Sequence, residues 1–151
     1  MNRVHILLTV TAGMVGSVFA AHEAVAKIII GTDGDDTLIG TDRDDRLKGR
    51  GGDDYLDGRG EDDSLNGSRG DDKIAGGGEN DEIFPGEGDD VVYAGNGDDL
   101  ICARDTESVD YIDCGGGFDK VETIHGDDKI KRNCERALGT DRSDGEAQLT
   151  P

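Results

Sequence analysis

The sequence predicts an all-β fold, a right-handed parallel β-roll (a β-solenoid) that ends in an irregular C-terminal cap. Three observations predict it. From Gly31 to Cys102 the chain divides without a gap into eight nonapeptides; the sixth place of each is Asp, and the eighth is always aliphatic. A short, exact period of this kind marks a stack of identical small units rather than a conventional globule.

The units are Gly31–Ile39, Gly40–Lys48, Gly49–Asp57, Gly58–Asn66, Gly67–Ala75, Gly76–Phe84, Pro85–Tyr93 and Ala94–Cys102. Their sixth places are Asp36, Asp45, Asp54, Asp63, Asp72, Asp81, Asp90 and Asp99; their eighth places are Leu38, Leu47, Leu56, Leu65, Ile74, Ile83, Val92 and Ile101. Each unit has a glycine-rich half that can turn, since Gly tolerates positive φ. Its last three places can form a short strand, with the eighth side chain inward and the seventh and ninth outward. Ile28–Ile30 is in the same frame and is expected to be the first strand.

Two units make a coil of 18 residues with a turn on each side, and equivalent turns then lie about 4.8 Å apart along the stack. Asp36, Asp54, Asp72 and Asp90 line one edge; Asp45, Asp63, Asp81 and Asp99 line the other. The fifth place is also Asp, except at Asn80. Two unit charges about 5 Å apart repel by roughly 0.8 kcal/mol in water and about 3 kcal/mol at an effective dielectric of 20. Summed over both ladders, that rivals the about 5–15 kcal/mol that stabilises a domain. The stack therefore needs cations. A hard divalent ion with oxygen ligands removes the repulsion, and Ca²⁺ accepts six to eight oxygens in flexible geometry, where Mg²⁺ is stricter.

These columns match the repeat G-G-x-G-x-D-x-U-x, and the chain closely resembles the RTX, or hemolysin-type, calcium-binding repeats. The resemblance implies Ca²⁺ seated between successive turns. The candidate ligands are the eight sixth-place carboxylates together with turn carbonyls at Gly31, Gly49, Gly67, Gly34, Gly52, Gly70, Gly88 and Gly97. Four turns on an edge leave three gaps, so about six sites are expected if all fill. The fourth place distinguishes the edges: one carries Gly34, Gly52, Gly70 and Gly88, the other Arg43, Glu61, Glu79 and Gly97. If that place needs positive φ, a side chain there costs roughly 1 kcal/mol or more, so the first edge should bind more tightly. Pro85 and Ala94 replace the leading Gly and weaken the case for the last sites.

After Cys102 the period slips by Ala103-Arg104 and resumes in Asp105–Asp113, Cys114–Glu122 and Thr123–Lys131, which keep Asp110, Asp119 and Asp128 at the sixth place. We read 103–138 as degenerate repeats and a cap, because a solenoid must cover its last layer. Cys114 and Cys134 both fall there and are expected to form a disulfide, a loop of about 20 residues worth roughly 3 kcal/mol in the chain-entropy model. Cys102 is left either free or bridging to another chain. Phe84, Tyr93, Val91 and Leu100 hold outward places late in the ladder, and either lie under the cap or mark a protein-docking face.

The formal net charge is −19, from 35 acidic and 16 basic residues. Nucleic acid is excluded as a natural partner, and cations are the expected ones. Residues 1–26 read as a signal peptide: Arg3 precedes an uncharged, mostly apolar stretch, and small residues at Ala24 and Ala26 mark cleavage after Ala26, or alternatively after Ala20. A secreted, extracellular protein without membrane insertion after cleavage follows. Residues 27–102 form the regular roll, and 139–151 a flexible tail. Of the 125 residues after Ala26, 23 are Leu, Ile, Val or Phe, too few for an ordinary core. An enzyme is not expected, since the histidines are His5, His22 and His125 and no H-E-x-x-H, G-x-S-x-G or P-loop motif occurs. The expected function is calcium binding coupled to folding outside the cytoplasm. The alternative is an adhesion or matrix scaffold in which calcium is purely structural.

Overall fold

A strand of three residues recurs every nine because the apolar eighth place can be buried only if its two neighbours face out. The computed structural model describes residues 25–104, 108–123, 128–131, 133–134 and 136–139. Most of the expected signal peptide (1–24 of 1–26), the expected tail beyond Gly139, and all three histidines lie outside them.

The strands are β1 (Ile28–Ile30), β2 (Thr37–Ile39), β3 (Arg46–Lys48), β4 (Tyr55–Asp57), β5 (Ser64–Arg69), β6 (Lys73–Gly78), β7 (Glu82–Glu87), β8 (Val91–Asn96), β9 (Leu100–Ala103), β10 (Tyr111–Gly116), β11 (Lys120–Thr123), β12 (Lys129–Ile130) and β13 (Arg136–Gly139). Odd strands form one parallel sheet and even strands the other, each in simple order along the stack. The register is 18 residues over the regular ladder: Leu47 pairs with Leu65, and Leu56 with Ile74. The protein is thus an all-β parallel solenoid, as its period predicts.

The core is the eighth-place column itself, with Leu47, Leu56, Leu65, Ile74, Ile83, Val92 and Ile101 all at most 1% exposed. Alternation by twos carries the inward face further than x-U-x. The sixth place before each strand and the first place after it are also buried over most of the ladder. Ala94, Ala103 and Cys114, which replace the early glycines at the first place, join the apolar cluster. The roll therefore widens its core toward the C-terminus. The strands are longer at β5–β8 and β10, where turn residues pair as well, as in Ser68 with Gly86, Gly77 with Gly95 and Gly95 with Gly115.

Two expectations change in detail. Ala103 does not belong to a slip: it pairs with Thr123, first place to first place, 20 residues on. The two extra residues fall between Ala103 and Val109, whose N–H meets Asp89 20 residues earlier, and the 18-residue register returns where Ile112 pairs with Ile130. Beyond Cys102, β10–β13 continue both sheets. Finally, Phe84 and Leu100 lie on the odd sheet, whereas Val91 and Tyr93 lie on the even one. The four residues cannot form one late apolar face. Tyr93 stacks instead along its own sheet toward Tyr111, ring centroids 6.3 Å apart.

Pro85 has no N–H to give the ladder, and the β7–β9 pairing covers only Glu82 with Leu100 and Ile83 with Ile101. A groove of about 960 Å³ opens there, lined by Phe84, Gly86, Cys102 and Arg104 among others. Cys102 is a half-buried free thiol, and burial raises its pKa. Cys114 and Cys134 form a disulfide, with Cα atoms 5.2 Å apart, and Cys134 packs on the end of the core. Beside it, Lys131 Nζ donates to Asp113 at 2.6 Å and Asn133 donates to the same carboxylate at 2.8 Å.

Candidate metal centre

The inward face that begins at the sixth place carries carboxylates into the turns. Asp45, Asp54, Asp63, Asp72, Asp81, Asp90 and Asp99 are each at most 3% exposed. One oxygen, Oδ1, is committed to the backbone and accepts the N–H of the sixth-place residue one coil earlier. Asp54 accepts from Asp36 at 2.8 Å, Asp72 from Asp54 at 2.8 Å, and Asp90 from Asp72 at 2.7 Å. On the opposite edge Asp63 accepts from Asp45 at 2.7 Å, Asp81 from Asp63 and Asp99 from Asp81, both at 2.9 Å.

The other oxygen decides the chemistry. Oδ2 of Asp54, Asp63, Asp72, Asp81 and Asp99 is buried with no hydrogen-bond partner. The first place of the same turn lies so close that a Cβ at Gly49 would be 2.0 Å from Asp54 Oδ2, and one at Gly58 2.2 Å from Asp63 Oδ2. In these turns the leading glycine leaves the carboxylate its space. Gly31, Gly49 and Gly67, which the sequence marks as turn elements, all sit in this position.

A buried carboxylate without a counter-charge resists ionising. Burial pushes Asp63, Asp72 and Asp81 up to about 7, backbone hydrogen bonding opposes it, and neighbouring carboxylates add to the rise. Asp99 rises to about 6 for the same leading reason, and Asp54 is also raised. An orphaned anionic oxygen repeated along each edge is the donor that a hard divalent cation requires. Among the described residues no three acidic, imidazole or thiolate side chains converge on one point. A cation here would therefore take much of its shell from turn carbonyls. The sixth-place carboxylates would hold it, and its charge would let them ionise inside the roll.

The fifth place acts differently, in a way that the sequence does not announce. Its carboxylates are exposed, and Oδ1 accepts the N–H of the fifth-place residue one coil later: Asp53 donates to Asp35 at 3.0 Å, Asp71 to Asp53 at 3.0 Å and Asp89 to Asp71 at 2.9 Å. The two ladders run in opposite directions. Asn80 takes part as both donor, to Asp62 at 2.9 Å, and acceptor, from Asp98 at 2.8 Å. An amide oxygen suffices there, which explains the one break in the fifth-place Asp column.

Turn conformation changes along the chain. At the second place Arg50, Arg59 and Ser68 have φ near 90°, and Gly77, Gly86 and Gly95 lie at 121–126°. At the fourth place Gly52, Gly70, Gly88 and Gly97 have positive φ, as do Glu61 (64°) and Glu79 (67°). Gly34 and Arg43 do not. The strain expected for Arg43 is therefore absent, because its turn has another shape. Arg50 and Ser68 meanwhile put side chains at positive φ on the edge expected to be relaxed.

The solenoid lines its turns with buried carboxylates of the kind that hold divalent cations. A model of the RTX calcium-binding nonapeptide repeat, four copies long, matches residues 30–65, 57–92 and 86–105, half of the chain in all. The chain belongs to that family, and it is a calcium-binding protein. Searches of curated proteins and of solved structures found no match. Beyond the matched residues the carboxylate ladder continues: Asp110 accepts from Asp90 and Asp119 from Asp99, both at 3.0 Å, and Asp128 from Asp110 at 3.1 Å.

Proposed function

We propose that the protein is exported and that calcium uptake outside the cytoplasm closes the roll. The observation that carries this reading is the set of buried, unpartnered Oδ2 atoms at Asp54, Asp63, Asp72, Asp81 and Asp99. Without a cation, each must either hold a proton or leave an anion buried and unpaired, which is costly. Extracellular calcium modules work at about 10⁻⁴–10⁻³ M, so such a chain stays open where calcium is scarce and closes after export. Export itself rests on the sequence of residues 1–26. The role is one of binding and folding rather than catalysis, in keeping with the lack of a catalytic motif in the sequence.

Circular dichroism of the purified protein during a calcium titration tests the coupling. The expected result is little β signal in chelator and a cooperative gain in the millimolar range. An identical spectrum in chelator and at tenfold above about 10⁻³ M calcium would refute it.

A further inference from the structure

The first turn on each edge departs from the rest in two linked ways. Thr32 and Thr41 occupy the second place, and neither they nor the fourth-place residues Gly34 and Arg43 have positive φ. With φ negative, the threonine presents both its donors to the carboxylate of its own turn. Asp36 Oδ2 accepts the Thr32 N–H at 2.6 Å and its hydroxyl at 2.9 Å. Asp45 Oδ2 accepts the Thr41 N–H and, at 3.0 Å, its hydroxyl. Thr32 Oγ1 also accepts the Gly34 N–H at 3.3 Å, which holds the compact turn. The oxygen that is orphaned at Asp54, Asp63, Asp72, Asp81 and Asp99 is thus doubly hydrogen-bonded at Asp36 and Asp45.

Position along the stack gives the reason. Each sixth-place carboxylate leans toward the coil before it, as its Oδ1 contact shows. Asp36 is in the first nonapeptide of its edge, so no earlier repeat turn faces it to share an ion. Asp45 is preceded on its edge by the chain at Lys27, whose backbone N–H fills Asp45 Oδ1. A cation at either place would lack half its shell, whereas a threonine supplies two donors from within the turn.

We propose that Thr32 and Thr41 form an ion-free N-terminal cap, that Asp36 and Asp45 are held by hydrogen bonds instead of calcium, and that the calcium sites begin at Asp54 and Asp63. This rests on the reading that sixth-place carboxylates hold the ions, and it narrows the set of ligands expected from the sequence.

The test is metal analysis of the purified protein after calcium loading, comparing Asp36→Asn with Asp54→Asn, together with the thermal midpoint of Thr41→Val in saturating calcium. Asp36→Asn should keep the wild-type calcium content, and Asp54→Asn should lose about one ion per chain. Thr41→Val should keep its calcium and unfold at a lower temperature. Equal loss of calcium in the two Asp variants, or an unchanged midpoint in Thr41→Val, overturns the proposal. A wild-type protein that takes up no calcium would instead sink the underlying reading of the turns, and the Thr41→Val midpoint would still decide whether the cap exists.

Discussion

Asp71 and Asp72 are neighbours in sequence and opposites in environment. Asp71 is exposed and accepts the N–H of Asp89 one coil later; Asp72 is buried and accepts that of Asp54 one coil earlier. Asn at Asp71 should keep the ladder bond, as Asn80 already does, and should change stability by no more than about 0.5 kcal/mol. Asp72→Asn keeps Oδ1 but removes the charge, so its calcium midpoint for folding should rise several-fold. Calcium titrations of the two variants check this, and equal midpoints would show that the fifth place also binds. Acid should mimic the ion. Asp63, Asp72 and Asp81 have folded pKa values raised from 3.8 to about 7, so the closed roll holds protons that the open chain releases. In chelator its stability is thus greatest below about pH 4 and is lost as pH rises through about 7. Circular dichroism across that window should show β signal at low pH that fades toward neutrality. The sixth- and eighth-place columns are legible in the sequence as invariant letters. The roles of the two aspartates are not, because they follow from extending strand alternation back by one residue pair.

At the scale of the turn, backbone shape is only partly legible. The fourth-place contrast between Gly and Glu predicts strain at Glu61 and Glu79, and both do lie at positive φ. The second place carries the same demand at Arg50, Arg59 and Ser68, where nothing in those residue types signals it. The later Gly77, Gly86 and Gly95 in that column are the available clue. With Arg50 and Ser68 on one edge and Arg59, Glu61 and Glu79 on the other, the edges differ less than the fourth place alone suggests. Glu61→Gly should relieve about 1 kcal/mol of left-handed strain and lower the calcium midpoint. A higher midpoint in that variant would mean that the glutamate itself helps to hold the ion.

For the whole molecule, regular repetition makes the architecture readable, and its breakdown hides the C-terminal end. The letters place the two-residue insertion at Ala103-Arg104, where they cease to repeat, whereas pairing of Ala103 with Thr123 puts it after Ala103 and before Val109. The first-place column is similar: Gly gives way to Pro85, Ala94, Ala103 and Cys114, which reads as decay in the sequence and as a widening core in the fold. The Cys114–Cys134 bridge closes that end, 20 residues apart. Its removal by Cys114→Ser and Cys134→Ser should cost about 3 kcal/mol, read as a lower denaturant midpoint in saturating calcium. An unchanged midpoint would show that β10–β13 hold without the staple.

The central claim is that calcium sits against the sixth-place carboxylates inside the roll. A crystal structure of the calcium-loaded protein, with the ions located by their anomalous scattering, tests it most directly. Ions are predicted beside Oδ2 of Asp54, Asp63, Asp72, Asp81 and Asp99, the buried oxygens without a hydrogen-bond partner. Ions found only on the exposed fifth-place carboxylates, with the sixth-place pockets closed around protonated side chains, would contradict it.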